Sequence, residues 1–272
     1  LLDGCKLIQV ESNYSDGGIE SKLVTNKLFT GSGPAQPYLN YALMSIIANV
    51  PNNDDILIDD SLKIKNITEL NLSSISFKHD WENFCKTPDI SNLIYLEKFS
   101  FDGSLPENTQ FKSVKELKCK DIEGSLKWLS GFNQLEKLDM NISSYGDGIK
   151  DIDSFKNLVS LREFELHPGG KLTDINFLSE CKKIKKITLH VSKEYGDEEE
   201  IKCINVLSKL KNLEELNMSG VENLDITPIG ECKNLKNIDI GFKGNNLSDL
   251  STLNSCTELS DLTISGCAPY EI

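Results

Sequence analysis

Imidazole chemistry in this chain rests on three histidines, His79, His167 and His190. Two of them occupy one place in a recurring pattern. His167 closes F-E-L-H at 164–167 and His190 closes I-T-L-H at 187–190. Alternating runs of this kind form strands, and neighbouring strands lie roughly 5 Å apart, so the two imidazoles are expected side by side on one face. Glu165 stands two residues before His167 and therefore projects to the same side. Two imidazoles and a carboxylate could hold a divalent metal. Exposed histidines on adjacent strands are ordinarily just solvated, so the expectation is no resident metal and no cofactor.

Other chemistry is thinner still. No H-E-x-x-H, G-x-S-x-G or G-x-x-x-x-G-K-[ST] stretch occurs, and Gly31-Ser32-Gly33-Pro34 reads as a linker. The run Asp197-Glu198-Glu199-Glu200 invites a calcium reading. A better fit makes Asp197 the cap of a helix through Ile201, Ile204 and Leu207, with acids at its positive end. Eight cysteines would suggest a disulfide framework in a short secreted chain. Here Cys181, Cys232 and Cys256 take places that Leu93, Phe111, Phe132, Leu158 and Leu210 take elsewhere, and no C-x-x-C pair exists. They are expected to pack as small buried hydrophobes, which favours a reducing, cytoplasmic setting. The protein is not expected to be an enzyme.

The elements behind these residues repeat. A run of the form L-x-x-L-x-L, with Ile, Val, Phe, Met or Cys replacing Leu in places, opens at Ile67, Leu96, Val114, Leu135, Leu161, Ile184, Leu213, Leu235 and Leu259. A period in the low twenties marks a solenoid whose units bury their apolar faces only by stacking. Within a copy such as Leu224 to Ile240, apolar residues come at intervals of three and close with a period of two. The closing part predicts a short strand and the rest a returning convex segment, so stacked strands form a parallel sheet on the concave side.

These residues resemble the leucine-rich repeat proteins, particularly the short bacterial, internalin-like kind. The stretch L-T-D-I-N-F-L-S-E-C-K-K-I-K-K-I-T-L at 172–189 follows that pattern closely. The resemblance covers about residues 38–267 and implies an α/β solenoid: a curved arc with a parallel concave sheet, an irregular convex side with short helices, and a helical N-terminal cap. The cap is expected over Tyr38–Val50, where Leu39, Ala42, Leu43, Ile46 and Ile47 form one apolar face and Pro51 stops the helix. Ile56-Leu57-Ile58 reads as a short strand after it. The expected divisions are 1–36, an N-terminal extension with a hairpin (strands near Lys6–Glu11 and Ile19–Phe29 about a turn at 12–18) and a linker; 37–65, the cap helix and strand; and 66–272, about nine repeats without a C-terminal cap. The family usually carries Asn just beyond the last apolar residue of each strand. This chain has Ile75, Ser104, Ile122, Ser143, Gly169, Ser192, Val221, Lys243 and Cys267 there. Local distortions of the arc are expected.

Outward residues of the sheet resolve into columns. The first is Glu69, Lys98, Glu116, Lys137, Glu163, Lys186, Glu215, Asn237 and Asp261. Its signs alternate through seven strands, so it reads as a stabilising ladder. The two inner columns carry Lys118, Lys120, Asp139, Glu165, His167 and His190, with no aromatic residue. Loops supply the aromatics that hot spots favour: Tyr145, Tyr195 and Phe242.

A net charge of −13 argues against a nucleic-acid surface, and no apolar run is long enough to span a membrane. The resemblance implies a non-catalytic protein-interaction module binding an unknown protein partner through the concave sheet and adjacent loops, with further association at the uncapped C-terminal end. Two alternatives are a bacterial surface adhesin or lipoprotein, and the recognition domain of a larger multidomain enzyme.

Overall fold

The computed structural model describes residues 7–15, 18–24, 68–76, 95–105, 107, 109–143, 148–168, 172–190, 201–221, 224–242 and 250–266. Strands β1 (Leu7–Ser15) and β2 (Gly18–Val24) form an antiparallel hairpin in which Ser15 pairs with Gly18. The chain therefore stays extended through Ser12–Ser15, where turn-rich composition suggested a bend. β1 also pairs in parallel with β3 (Glu69–Ser76), Leu7 against Glu69, so the hairpin extends the main sheet. The segments at 38–50 and 56–58 lie outside the described residues.

From β3 onward each repeat contributes one strand to that sheet. They are β4 (Lys98–Asp102), β5 (Glu116–Ile122), β7 (Lys137–Ile142), β9 (Glu163–His167), β10 (Lys186–His190), β11 (Glu215–Val221), β12 (Asn237–Phe242) and β13 (Asp261–Ser265). Every neighbouring pair among them is parallel, in an eleven-stranded sheet ordered β13-β12-β11-β10-β9-β7-β5-β4-β3-β1-β2. The short strands β6 (Gly124–Ser125) and β8 (Ile149–Lys150) pair separately.

Alternation decides which side chains are buried. In the seven runs between Leu96 and Ile240 the three apolar positions are all buried, none more than 3% exposed. Full burial of a side chain of this size is worth about 1.5–3 kcal/mol, which is what registers each strand on the next. The last run differs: Leu262 is 47% exposed, against 2% for Ile238 one repeat earlier.

The return segments on the convex side are 3-10 helices: Lys127–Gly131, Ile152–Asn157, Asn176–Glu180, Asn205–Lys209, Thr227–Glu231 and Leu250–Ser255. Tight turns suit an interval of three between apolar residues, because side chains three apart eclipse in a 3-10 helix. The helix expected through Ile201, Ile204 and Leu207 is accordingly shorter and later, at Asn205–Lys209, although all three residues are buried. Asp197 lies outside the described residues.

The repeated cysteines sit where these helices end. The Sγ of Cys181 reaches the carbonyl of Phe155 at 3.6 Å, Cys232 that of Leu207 at 3.2 Å, and Cys256 that of Ile229 at 3.5 Å. Each thiol therefore donates weakly to a carbonyl of the preceding repeat while packing as an apolar group. Burial pushes the thiols of Cys181 and Cys232 up to about 12, so they stay protonated.

Where the family pattern expects Asn, Ile122 and Val221 are core residues, 0% and 1% exposed. The sheet register shifts between Cys119 and Ile122 and between Ser219 and Val221. Asp121 (φ 52°) and Gly220 (φ 75°) turn through left-handed conformations at those bulges. Glycine takes that conformation freely, whereas Asp121 is strained.

Candidate functional site

The outward columns align strand by strand as the sequence register requires. Glu69 lies opposite Lys98, Lys98 opposite Glu116, Glu116 opposite Lys137, and so on to Asp261. The alternation resolves into pairs: Lys98–Glu116 at 3.1 Å, Lys137–Glu163 at 3.1 Å and Lys186–Glu215 at 2.9 Å. A second row at the strand entrances is less evident in the sequence. There Glu97 pairs with Lys115 (2.8 Å), Glu136 with Arg162 (3.4 Å), and Glu214 with both Lys185 (2.5 Å) and Lys236 (2.8 Å). Exposed pairs are weak singly, and their main effect here is to give each strand one favourable neighbour register.

Glu214 is the most strongly held of these acids. Hydrogen bonds from Lys185, then from Lys236, lower its pKa from the usual 4.5 to about 2. A carboxylate depressed in the folded state stabilises the fold fully above its unfolded pKa and loses that contribution as pH falls through the folded one. The stability difference between the wild type and Glu214→Gln is therefore expected to be constant above about pH 5, to shrink from pH 4.5 downward and to vanish near pH 2. Urea midpoints followed against pH measure it, and a pH-independent difference contradicts the assignment.

Inside the ladder lie the six polar residues of the inner columns. Lys118 on β5 and Asp139 on β7 form an ion pair at 2.5 Å, with the Asp139 side chain only 16% exposed. Lys120 is exposed beside Asp102. Asp139 lies opposite Glu165, and Asn141 opposite His167.

Glu165, His167 and His190 converge. One carboxylate oxygen, Glu165 Oε1, lies 3.2 Å from His190 Nε2 and 3.6 Å from His167 Nε2. The two imidazoles stack with centroids 4.1 Å apart and 11° between their planes. His190 Nδ1 also meets the hydroxyl of Ser219 on β11 at 3.3 Å. Burial and the neighbouring His190 lower the pKa of His167, against the opposing pull of Asp139 and Glu165. His167 therefore stays largely neutral at pH 7. Strand geometry explains the convergence: Glu165 and His167 share a face of β9, and His190 occupies the adjacent rung of β10.

The loop aromatics divide differently. Phe242 is the last residue of β12 and 6% exposed. Its ring belongs to the core, because the strand runs two residues beyond Ile240, where the repeat pattern ends it, and by alternation Phe242 falls on the inward side, paired with buried Val221. Tyr145 and Tyr195 lie outside the described residues. Ser219 carries no signal in the sequence, because a lone serine on an exposed column gains a role only from its histidine neighbour.

A parallel concave sheet, one strand per repeat, with 3-10 returns on the convex side, defines a leucine-rich repeat solenoid. No family model and no curated protein matches the chain. Solved structures similar to it include two internalins of Listeria monocytogenes and a leucine-rich repeat protein of Leptospira interrogans. Internalin C2 shares 23% identity over 56% of this chain and 64% of its own, with a TM-score of 0.42. This chain thus spans less than two thirds of that protein. Internalin F shares 18% over 86% and 70%, with a TM-score of 0.48. The Leptospira protein shares 13% over 80% and 59%, with a TM-score of 0.46. Among the described residues no helix is long and apolar enough to cross a membrane.

Proposed function

We propose that this protein is an interaction module that holds a protein partner in the concave face, with no catalytic step of its own. The observation that carries the reading is the division of labour across the sheet. Inward positions are buried and outward charges of the first column are paired with each other, while the inner columns present polar groups in fixed register. Lys120, Glu165, His167 and His190 are the contact groups, and the Lys118–Asp139 pair gives a local charge pattern. Tyr145 and Tyr195, which lie outside the described residues, are proposed to supply the aromatic contact that the inner columns lack.

The test begins with capture on the immobilised chain and identification of the bound protein. Lys120→Glu and the double change Tyr145→Ala/Tyr195→Ala are each expected to weaken that complex about tenfold or more, the size of a hot-spot loss above 1.4 kcal/mol. The melting temperature of Lys120→Glu should match the wild type, since exposed substitutions usually fall within about 0.5 kcal/mol. If neither variant changes the affinity, the concave face is not the binding surface.

A further inference from the structure

We propose that Glu165, His167 and His190 form a binding site for a zinc-class divalent metal ion, with three protein ligands and a fourth position open to solvent. The argument is geometric. One ligating atom from each residue lies within 4.8 Å of the others. Zinc bonds to imidazole nitrogen and carboxylate oxygen of about 2.0–2.2 Å set a tetrahedral edge of about 3.4 Å. The two edges that meet at Glu165 Oε1 are 3.2 and 3.6 Å. The ligands are therefore spaced for an ion without movement of the backbone, which is held by the parallel ladder of β9 and β10.

Local charge singles out this carboxylate. Asp139, its neighbour across β7, is neutralised by Lys118, and Glu163 in the outer column is paired with Lys137. Glu165 faces Thr188 on β10, and its ion pairs among the described residues are to the two histidines. A carboxylate whose partners are imidazoles selects borderline ions such as zinc over calcium or magnesium, which require several oxygen ligands.

The outer shell is also in place. A histidine that ligates through Nε2 must carry its proton on Nδ1, and the Ser219 hydroxyl stands 3.3 Å from that atom in His190, where it can accept the hydrogen bond. One adjustment is required. A metal lies in the plane of each ring it binds, whereas the rings now stack nearly parallel at 4.1 Å. Side-chain exposures of 39% for His167 and 35% for His190 leave room for the rings to rotate. In the stacked arrangement Glu165 accepts a hydrogen bond from His190, and an ion would replace it.

The experiment is titration of the full chain with zinc chloride at neutral pH by calorimetry, alongside visible spectra of the cobalt form. One zinc per chain is expected, with cobalt d–d bands but no thiolate charge-transfer band, since the cysteines are not ligands. His190→Ala and Glu165→Gln should each weaken binding at least about tenfold, and Ser219→Ala by about tenfold, in line with outer-shell losses. His79→Ala should leave the affinity unchanged. In the wild-type chain, ring resonances of His167 and His190 should shift with the first equivalent of zinc while those of His79 do not, a readout independent of whether the variants fold. Absence of stoichiometric binding, a thiolate band, or affinity retained in the His167→Ala/His190→Ala chain would overturn the site.

Discussion

Trp128→Ala should reduce the unfolding free energy by about 3–5 kcal/mol, the range for deleting a fully buried large aromatic side chain. Trp128 lies on the convex helix Lys127–Gly131 and is 0% exposed. Its ring meets Phe101 edge-on at 5.6 Å and Phe132 at 5.9 Å. Phe101 in turn stacks on Phe99, and Phe111 bridges Phe99 to Phe132. The cluster thus joins the repeats carrying β4, β5 and β7. In a solenoid each repeat is stabilised mainly by its neighbours, so a cavity at this junction should uncouple the N-terminal repeats from the rest. The expected signature is a broadened or two-step urea transition by circular dichroism. Trp128→Phe offers a sharper comparison. The indole Nε1 finds no acceptor among the described residues, so the smaller ring removes a buried unsatisfied donor as it gives up volume. Its loss should be well under half that of the alanine variant. Equal losses in the two variants would show that the unsatisfied donor has no energetic weight.

How far the chain's sequence discloses this architecture depends on the period of the signal. Positions that repeat at two residues in a strand and about every twenty-four along the chain are legible, because each is constrained many times over. Leu96, Leu117, Leu138 and Ile187 declare their burial in this way, and so do Cys181, Cys232 and Cys256 through the company their positions keep. The charge column from Glu69 to Glu215 is legible for the same reason, and the structure supplies its ion pairs. Features that occur once are not. The second ladder depends on side chains just outside the strands, where alternation no longer says which way a residue points. Phe242 reads as a loop residue because the repeat ends its strand at Ile240; β12 continues for two more residues, and the second of them points inward. His167 and His190 could be placed on adjacent rungs from sequence. Their shared reach to one oxygen of Glu165, and the Ser219 hydroxyl behind them, depend on rotamers, which no periodicity encodes.

Gly131→Ala is expected to destabilise the protein by about 3 kcal/mol, at the upper end of what overpacking a close contact brings. Gly131 ends the convex helix of its repeat. The equivalent place in other repeats holds Asn157, Glu180, Lys209 and Glu231, so the position itself tolerates a long side chain. What differs is the preceding repeat. Its strand entrance at Leu96 is followed by the next at Val114, only 18 residues on. The return segment is correspondingly taut and passes directly over the helix, with Phe111 N–H donating to the Gly131 carbonyl at 3.1 Å. A Cβ on Gly131 would stand 2.0 Å from the carbonyl oxygen of Thr109, a residue itself 1% exposed. Backbone cannot yield there as the end of a flexible side chain would, so the clash must push apart two repeats that share the Phe111–Phe132 contact. The control is Glu180→Ala, at the same place where the return path is longer; it should change stability by less than about 0.5 kcal/mol. Urea midpoints of the two variants decide the matter. Equal midpoints would mean that the short repeat has slack, and that the close approach of Thr109 to Gly131 is not what limits this position.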